Sequence, residues 1–117
     1  IAAVGTGAHP AVAHVCHPGL PTYPNHAVAE KQMCGYGSLF SFTLRDQTRE
    51  AVHRFMNRLR VFSIGVSWGG FESLVVAGDA SELFAPDPNQ PRWIIRLFGG
   101  LEATDDLVND VRQALEE

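Results

Sequence analysis

The amino-acid sequence predicts an α+β fold in which an antiparallel sheet of about four strands carries helices packed on one face. Two long segments with apolar residues three or four positions apart predict amphipathic helices, and short apolar or alternating runs between them predict strands. Strands that can pair antiparallel, interspersed with helices, are typical of this layered class. With 117 residues, the chain is expected to form a single domain over residues 1–117.

The first part of the chain predicts a strand and a short helix on either side of a proline-rich connection. Residues 1–8 are small and apolar and predict the end of a helix, while residues 11–15 predict a short edge strand. Three prolines between positions 16 and 26 exclude regular structure there. A helix is expected from His26 to Met33, with Asn25 as its N-cap.

The middle of the chain contains the clearest strand and the clearest helix. Residues 38–44 alternate in polarity, which directs Phe40, Phe42 and Leu44 towards the core. Asp46 is the expected N-cap of the helix that follows. The apolar face of this helix comprises Ala51, Val52, Phe55, Met56 and Leu59.

The second half predicts three further strands and a final helix. Residues 61–64, 73–77 and 93–98 have the short apolar runs of strands, and residues 78–91 read as a long surface loop. Thr104 is the expected N-cap of the last helix. The inner face of this helix comprises Leu107, Val108, Val111 and Leu115.

Charge and composition argue against several classes of partner. A net charge of -4 with only nine lysines and arginines is atypical of proteins that bind nucleic acid or an anionic membrane surface. No apolar run approaches the ~18 residues of a transmembrane helix, and the first residues lack the features of a signal peptide. Cys16 and Cys34 are too few for a disulfide framework. We therefore expect a cytoplasmic protein with no nucleic-acid and no membrane partner.

One stretch, residues 65–74, is too irregular for a plain strand or helix. It combines three glycines, two aromatic residues, two hydroxyls and one carboxylate, and a Gly-Gly pair suits a turn that faces a ligand. Alternation along the strand at 93–98 puts Arg96 on the same side as Ile94 and Phe98. A guanidinium among apolar neighbours favours an anion as its partner.

Several residues in these segments have both a functional and a structural interpretation. Trp68 is either a stacking surface for a ligand or a core aromatic residue. Arg96 is either an anion clamp or a solvent-facing residue of an edge strand. Glu72 and Glu102 could form an acid/base pair, although helix capping is commoner for carboxylates that follow glycine turns.

Histidines and cysteines in the first third of the chain are candidate zinc ligands, because thiolate and imidazole are the usual ligand set. Their spacing matches no compact zinc pattern, and a cysteine nucleophile with a histidine base meets the same objection. We therefore expect no metal site and no catalytic residue in this chain. The candidate ligands are His14, Cys16, His17, His26 and Cys34.

Several motifs, in matching order and spacing, resemble one enzyme family. The run Ser-Trp-Gly-Gly-Phe-Glu-Ser-Leu, followed about twenty residues later by Ile-Arg-Leu and Gly-Leu-Glu, resembles the C-terminal domain of the Cys/Met-metabolism pyridoxal-phosphate (PLP) enzymes, and most closely its lyases. The resemblance covers nearly the whole chain, and several motifs together are more specific than any one of them. The matching segments are residues 17–21, 37–42, 65–74, 95–97, 100–102 and 105–107.

The resemblance implies a substrate-binding role for three residues. It implies that Arg96 binds the α-carboxylate of a small amino-acid substrate and that Ser67 and Trp68 line the same pocket. The lysine that binds PLP would lie in an upstream domain, because the single lysine, Lys31, lies where the family does not place it. The fragment itself is then expected to bind no cofactor.

For the full-length protein, the resemblance implies a PLP-dependent carbon–sulfur lyase of sulfur amino-acid metabolism, assembled as a homotetramer. The isolated chain would be inactive, and Trp68, Phe71 and Phe98 would be exposed where the upstream domain normally packs. Two other classes of function remain open from the residues: a regulatory module that binds an amino acid, and a structural dimerisation domain.

Overall fold

The computed structural model describes residues 6–82 and 89–116, which form a sheet of five strands in the order β1-β2-β5-β4-β3 with two helices packed on one face. This confirms the predicted α+β class. The strands are β1 (Val12–Cys16), β2 (Leu39–Leu44), β3 (Ser63–Ile64), β4 (Leu74–Asp79) and β5 (Trp93–Phe98). The helices are α1 (His26–Gln32), α2 (Arg49–Arg58) and α3 (Thr104–Leu115), with a short 3-10 helix at Ala80–Glu82.

The sheet is antiparallel except at one edge. β1 pairs with β2, β2 with β5 and β5 with β4 in antiparallel fashion, whereas β3 runs parallel to β4. The strand predicted at residues 61–64 is present as β3, but its parallel pairing with β4 differs from the predicted antiparallel sheet of about four strands. Because β3 has only two residues, the short connection over residues 65–73 is long enough to bring the chain back to the start of β4.

The core lies between the sheet and the helices α2 and α3. Phe42 of β2 meets Phe55 of α2 edge to face, with ring centroids 5.3 Å apart. Phe40, Phe42 and Leu44 are buried as predicted, whereas Met56 and Leu59 at the end of the α2 stripe are only partly buried. The most deeply buried apolar side chains are Phe42, Val52, Val75, Ile95, Leu97, Leu107 and Val111.

The N-caps of the two long helices differ from the predicted ones. Thr48 caps α2, because its hydroxyl oxygen accepts a hydrogen bond from the backbone N–H of Ala51 at 3.2 Å. Asp46 lies two residues upstream, and its carboxylate accepts a hydrogen bond from the backbone N–H of Thr48 at 3.0 Å. In α3 the N-cap position is Ala103, which offers no side-chain oxygen, and Thr104 is already helical. The predictions of Asp46 and Thr104 as caps were therefore wrong.

Other element boundaries shift by one or two residues. β1 lies at an edge of the sheet as predicted but ends at Cys16, and β4 continues to Asp79. Asn25 precedes α1, but its side chain makes no capping hydrogen bond. Most of the helix end predicted at residues 1–8, and positions 83–88 of the predicted loop, lie outside the described residues.

A buried carboxylate on α3 fixes the connection between α2 and β3. Asp110, 4% exposed, accepts hydrogen bonds from the backbone N–H groups of Arg60 and Val61 at 2.8 Å each and of Phe62 at 3.0 Å. The side-chain amide of Gln113 donates a further bond to it at 3.0 Å. Asp110 therefore determines where β3 starts, and through β3 where residues 65–73 leave the sheet.

Candidate functional site

Arg96 lies on the central strand of the sheet, on the face opposite the helices. The adjacent residues of β5, Ile95 and Leu97, are buried in the core. Because side chains alternate along a strand, Arg96 points to the opposite face of the sheet. Across the sheet it is in register with Ser41 of β2 and Val76 of β4. Because β5 is flanked on both sides, the edge-strand interpretation of Arg96 does not apply.

The half-buried guanidinium of Arg96 reaches the irregular stretch that the sequence singled out. Its Nη2 donates hydrogen bonds to the carbonyl oxygen of Val66 and, at 3.3 Å, to that of Ser67. Within residues 6–82 and 89–116, its Nη1 and Nε atoms make no hydrogen bond. The charge and two N–H-bearing atoms are therefore still available for an anion.

The connection between β3 and β4, residues 65–73, is called the site loop below. Gly69 has a φ of 86°, in the left-handed region that favours glycine, so the loop turns at this residue. Trp68 is 62% exposed, so it is not part of the core formed by this chain. Ser67 is exposed beside it. Arg96, Ser67 and Trp68, the three residues of the resemblance, thus lie in or directly against one loop.

One of the aromatic residues expected at the surface is buried. Phe98 is 9% exposed, because it lies on the central strand in register with Leu39 of β2 and Leu74 of β4. Phe71, at 74% exposed, is at the surface as expected. The expectation that Phe98 is exposed was therefore wrong.

The two glutamates near the site have different surroundings. Both carboxylate oxygens of Glu102 accept hydrogen bonds from Ser73, one from its backbone N–H and one from its hydroxyl. The bond from the Ser73 hydroxyl is the main cause that lowers the pKa of Glu102 from its ordinary value. Glu72 is exposed and makes no hydrogen bond within the described residues. Glu102 therefore does not cap α3; its carboxylate accepts hydrogen bonds from Ser73 and makes none with Glu72.

Two of the three candidate histidine ligands, His17 and His26, form hydrogen bonds with the backbone. His17 accepts from the N–H of Gly19 at 3.0 Å and donates to the carbonyl of Gly37 at 2.9 Å. His26 contacts the carbonyl of Pro18 at 2.8 Å. In the part of the chain that the structure describes, no three histidine, cysteine or acidic side chains are grouped so as to hold a metal ion.

No helix among the described residues combines the length and the apolar character needed to span a membrane. The longest, α3, covers Thr104–Leu115.

Comparison with known proteins identifies one family. Residues 6–116 match the family model described as Cys/Met metabolism PLP-dependent enzyme. The matched range includes Arg96 and the whole site loop.

The similar proteins are several times longer than this chain. The chain is 37% identical over 112 residues to a cystathionine β-lyase of Haemophilus influenzae, covering 92% of this chain and 28% of that protein. It is 38% identical over 115 residues to a cystathionine γ-synthase of Mycobacterium leprae, covering 92% and 28% respectively. Among solved structures, an O-acetylhomoserine sulfhydrylase of Wolinella succinogenes matches with a TM-score of 0.79 and 31% identity, over 93% of this chain and 30% of that one. The chain thus spans less than a third of the length of these relatives.

Proposed function

The chain belongs to the family of Cys/Met metabolism PLP-dependent enzymes, and on this basis we propose that it is the C-terminal, substrate-carboxylate-binding domain of a carbon–sulfur lyase. Cystathionine β-lyases at 36–39% identity support a substrate such as cystathionine or a similar thioether amino acid, in methionine biosynthesis or transsulfuration. In this proposal an upstream domain carries PLP and its lysine, and the full-length protein is a cytoplasmic homotetramer.

The contact between the Arg96 guanidinium and the site loop is the observation that best supports the proposal. A planar guanidinium binds a carboxylate through two parallel N–H···O bonds, which fixes the orientation of the carboxylate as well as its position. Arg96 uses Nη2 to bond to the loop carbonyls, and its other N–H groups remain for the substrate α-carboxylate. The central strand supports the side chain, so the clamp is rigidly held.

Ser67 and Trp68 complete the carboxylate pocket in this proposal. The exposed hydroxyl of Ser67 and the N–H groups of the loop can donate hydrogen bonds to the carboxylate, because the glycines at 69 and 70 carry no side chain to obstruct a ligand. In this proposal the exposed ring of Trp68 forms one side of the pocket and lowers the access of water to the bound carboxylate. Exclusion of water lowers the local dielectric constant, which strengthens the attraction between Arg96 and an anion.

The residues of this chain suit substrate binding rather than attachment of the cofactor. The single lysine, Lys31, is exposed in the last turn of α1. When bound in the full-length protein, PLP supplies the electron-withdrawing chemistry that activates the substrate. The part played by this chain is to bind the α-carboxylate and so to orient the bond that breaks.

The isolated chain is expected not to retain PLP. Mixed with the cofactor and dialysed, it should lose the visible absorbance of a cofactor–lysine adduct, because no lysine lies in or near the site loop. Absorbance spectroscopy before and after dialysis measures this. A stable band that disappears in Lys31→Ala would show that the chain forms a cofactor site of its own and would contradict the proposal.

We also expect the isolated chain to self-associate. Apolar side chains exposed in and beside the site loop would pack against the upstream domain in the full-length protein, and in its absence they would promote association between copies of the chain. Those more than half exposed are Ile64, Val66, Trp68, Phe71 and Leu101. Sedimentation at several concentrations tests the expectation, and Phe71→Ser should weaken the association. A strict monomer that binds no hydrophobic dye would contradict it.

A further inference from the structure

Three residues form a hydrogen-bonded clasp at the C-terminal end of the site loop. Glu102 Oε1 accepts from the backbone N–H of Ser73 at 3.1 Å, and Oε2 accepts from the Ser73 hydroxyl at 2.6 Å. The Ser73 oxygen in turn accepts from the N–H of Gly100 at 2.8 Å. Ser73 is only 1% exposed, so water competes little for these bonds. Ser73, Gly100 and Glu102 are called the clasp below.

Main chain packs directly on main chain beside the clasp. The N–H of Leu101 donates to the carbonyl of Phe71 at 2.8 Å. A Cβ atom at Gly100 would lie 2.3 Å from that carbonyl oxygen, so only glycine allows the two segments to approach this closely. The clasp therefore fixes the end of the site loop against the segment that continues from β5.

The site loop is held at its two ends and makes few contacts between them. At its start, Gly65 donates to β4, and Arg96 bonds to the carbonyl groups of Val66 and Ser67. Residues 68–70 make no hydrogen bond within the described parts of the chain. The position of this middle segment relative to Arg96 thus depends on both anchors, and the clasp is the second of them.

We propose that Glu102 is a positioning residue of the carboxylate site, which acts through Ser73 to set where the site loop lies relative to the Arg96 guanidinium. This inference rests on the proposed function, because it requires that Arg96 and the loop bind the substrate together. Both oxygens of Glu102 are occupied by Ser73, so Glu102 acts on the site through the loop and not by touching the substrate.

Kinetics of the full-length, PLP-loaded protein test the proposal. Glu102→Ala is expected to raise KM for the amino-acid substrate about 10-fold and to change kcat by less than about 2-fold, because a displaced loop weakens carboxylate binding equally in ground and transition states. Glu102→Gln should recover most of the wild-type KM, since its amide can accept from the Ser73 N–H and donate to the Ser73 oxygen. Asp105→Ala removes an exposed carboxylate nearby and should change neither parameter.

Hydrogen exchange separates a positioning role from a general loss of stability. Glu102→Ala should speed amide exchange in residues 66–72 and leave α2 unchanged. An unchanged KM, or equal acceleration of exchange in α2, would overturn the proposal. Ser73→Ala removes only the hydroxyl of the clasp and should also raise KM. This variant serves as the test if Glu102→Ala does not fold.

Arg96→Ala, measured in parallel, separates a failure of the positioning role of Glu102 from a failure of the proposed function. If Arg96→Ala impairs the enzyme and Glu102→Ala does not, only the positioning role fails. If neither substitution has an effect, the proposed function itself fails.

Discussion

Replacing Arg96 by alanine in the full-length protein is expected to lower kcat/KM by roughly 30- to 1,000-fold. The loss of a charged clamp on a carboxylate removes on the order of 2–4 kcal/mol of transition-state binding, which corresponds to this factor. Arg96→Lys should recover only part of the activity, because a point charge cannot reproduce two parallel hydrogen bonds. Steady-state kinetics with the amino-acid substrate measure both effects.

The control for this substitution is Arg54→Ala. Arg54 is exposed on α2, and α2 covers the sheet face opposite Arg96, so its loss should leave kcat/KM unchanged. Thermal unfolding of both variants should resemble that of the unchanged protein, since Arg96 is only half-buried. Near-native kinetics in Arg96→Ala would show that Arg96 does not bind the substrate carboxylate.

Replacing Asp110 by alanine is expected to destabilise the 117-residue chain by about 3 kcal/mol. The substitution leaves the backbone N–H groups of Arg60, Val61 and Phe62 without an acceptor, and unpaired donors at least partly buried cost roughly 1–3 kcal/mol each before relaxation and water entry offset part of it. Urea unfolding followed by circular dichroism measures the change.

Two further variants serve as comparisons for Asp110→Ala. Asn109→Ala changes the exposed neighbour in the same helix and should alter the free energy of unfolding by less than about 0.5 kcal/mol. Asp110→Asn should remain destabilised, because its NH2 group would face backbone N–H groups that need an acceptor. A free energy of unfolding in Asp110→Ala equal to that of the unchanged chain would contradict the assigned role.

Periodicity predicted the elements, but not how they pair. The alternation in β2 and the apolar stripe of α2 each depend on residues close together in sequence, so their buried faces could be read directly. Strand direction depends on contacts between distant segments, and the parallel pairing of β3 with β4 left no local signal. Asp46 and Thr48 are both good capping residues two positions apart, so spacing alone could not choose between them.

For the same reason, only part of the site could be predicted from the sequence. The glycine-rich stretch and the apolar surroundings of Arg96 are local features, and the structure brings the two together. The bond between Ser73 and Glu102 joins residues 29 positions apart and has no periodic signature. Asp110 did leave a signal, since it stands three residues after Leu107 on the inner stripe of α3, where a carboxylate requires partners.

The most direct test of the central claim compares two ligands of the full-length protein that differ only in the α-carboxylate. A substrate-like amino acid and the corresponding amine without the carboxylate are titrated against the unchanged protein and against Arg96→Ala. Binding of the carboxylate by Arg96 predicts a strong preference of the unchanged protein for the amino acid, and near loss of that preference in Arg96→Ala. An equal preference in both proteins would contradict the assignment of Arg96 as the carboxylate-binding residue.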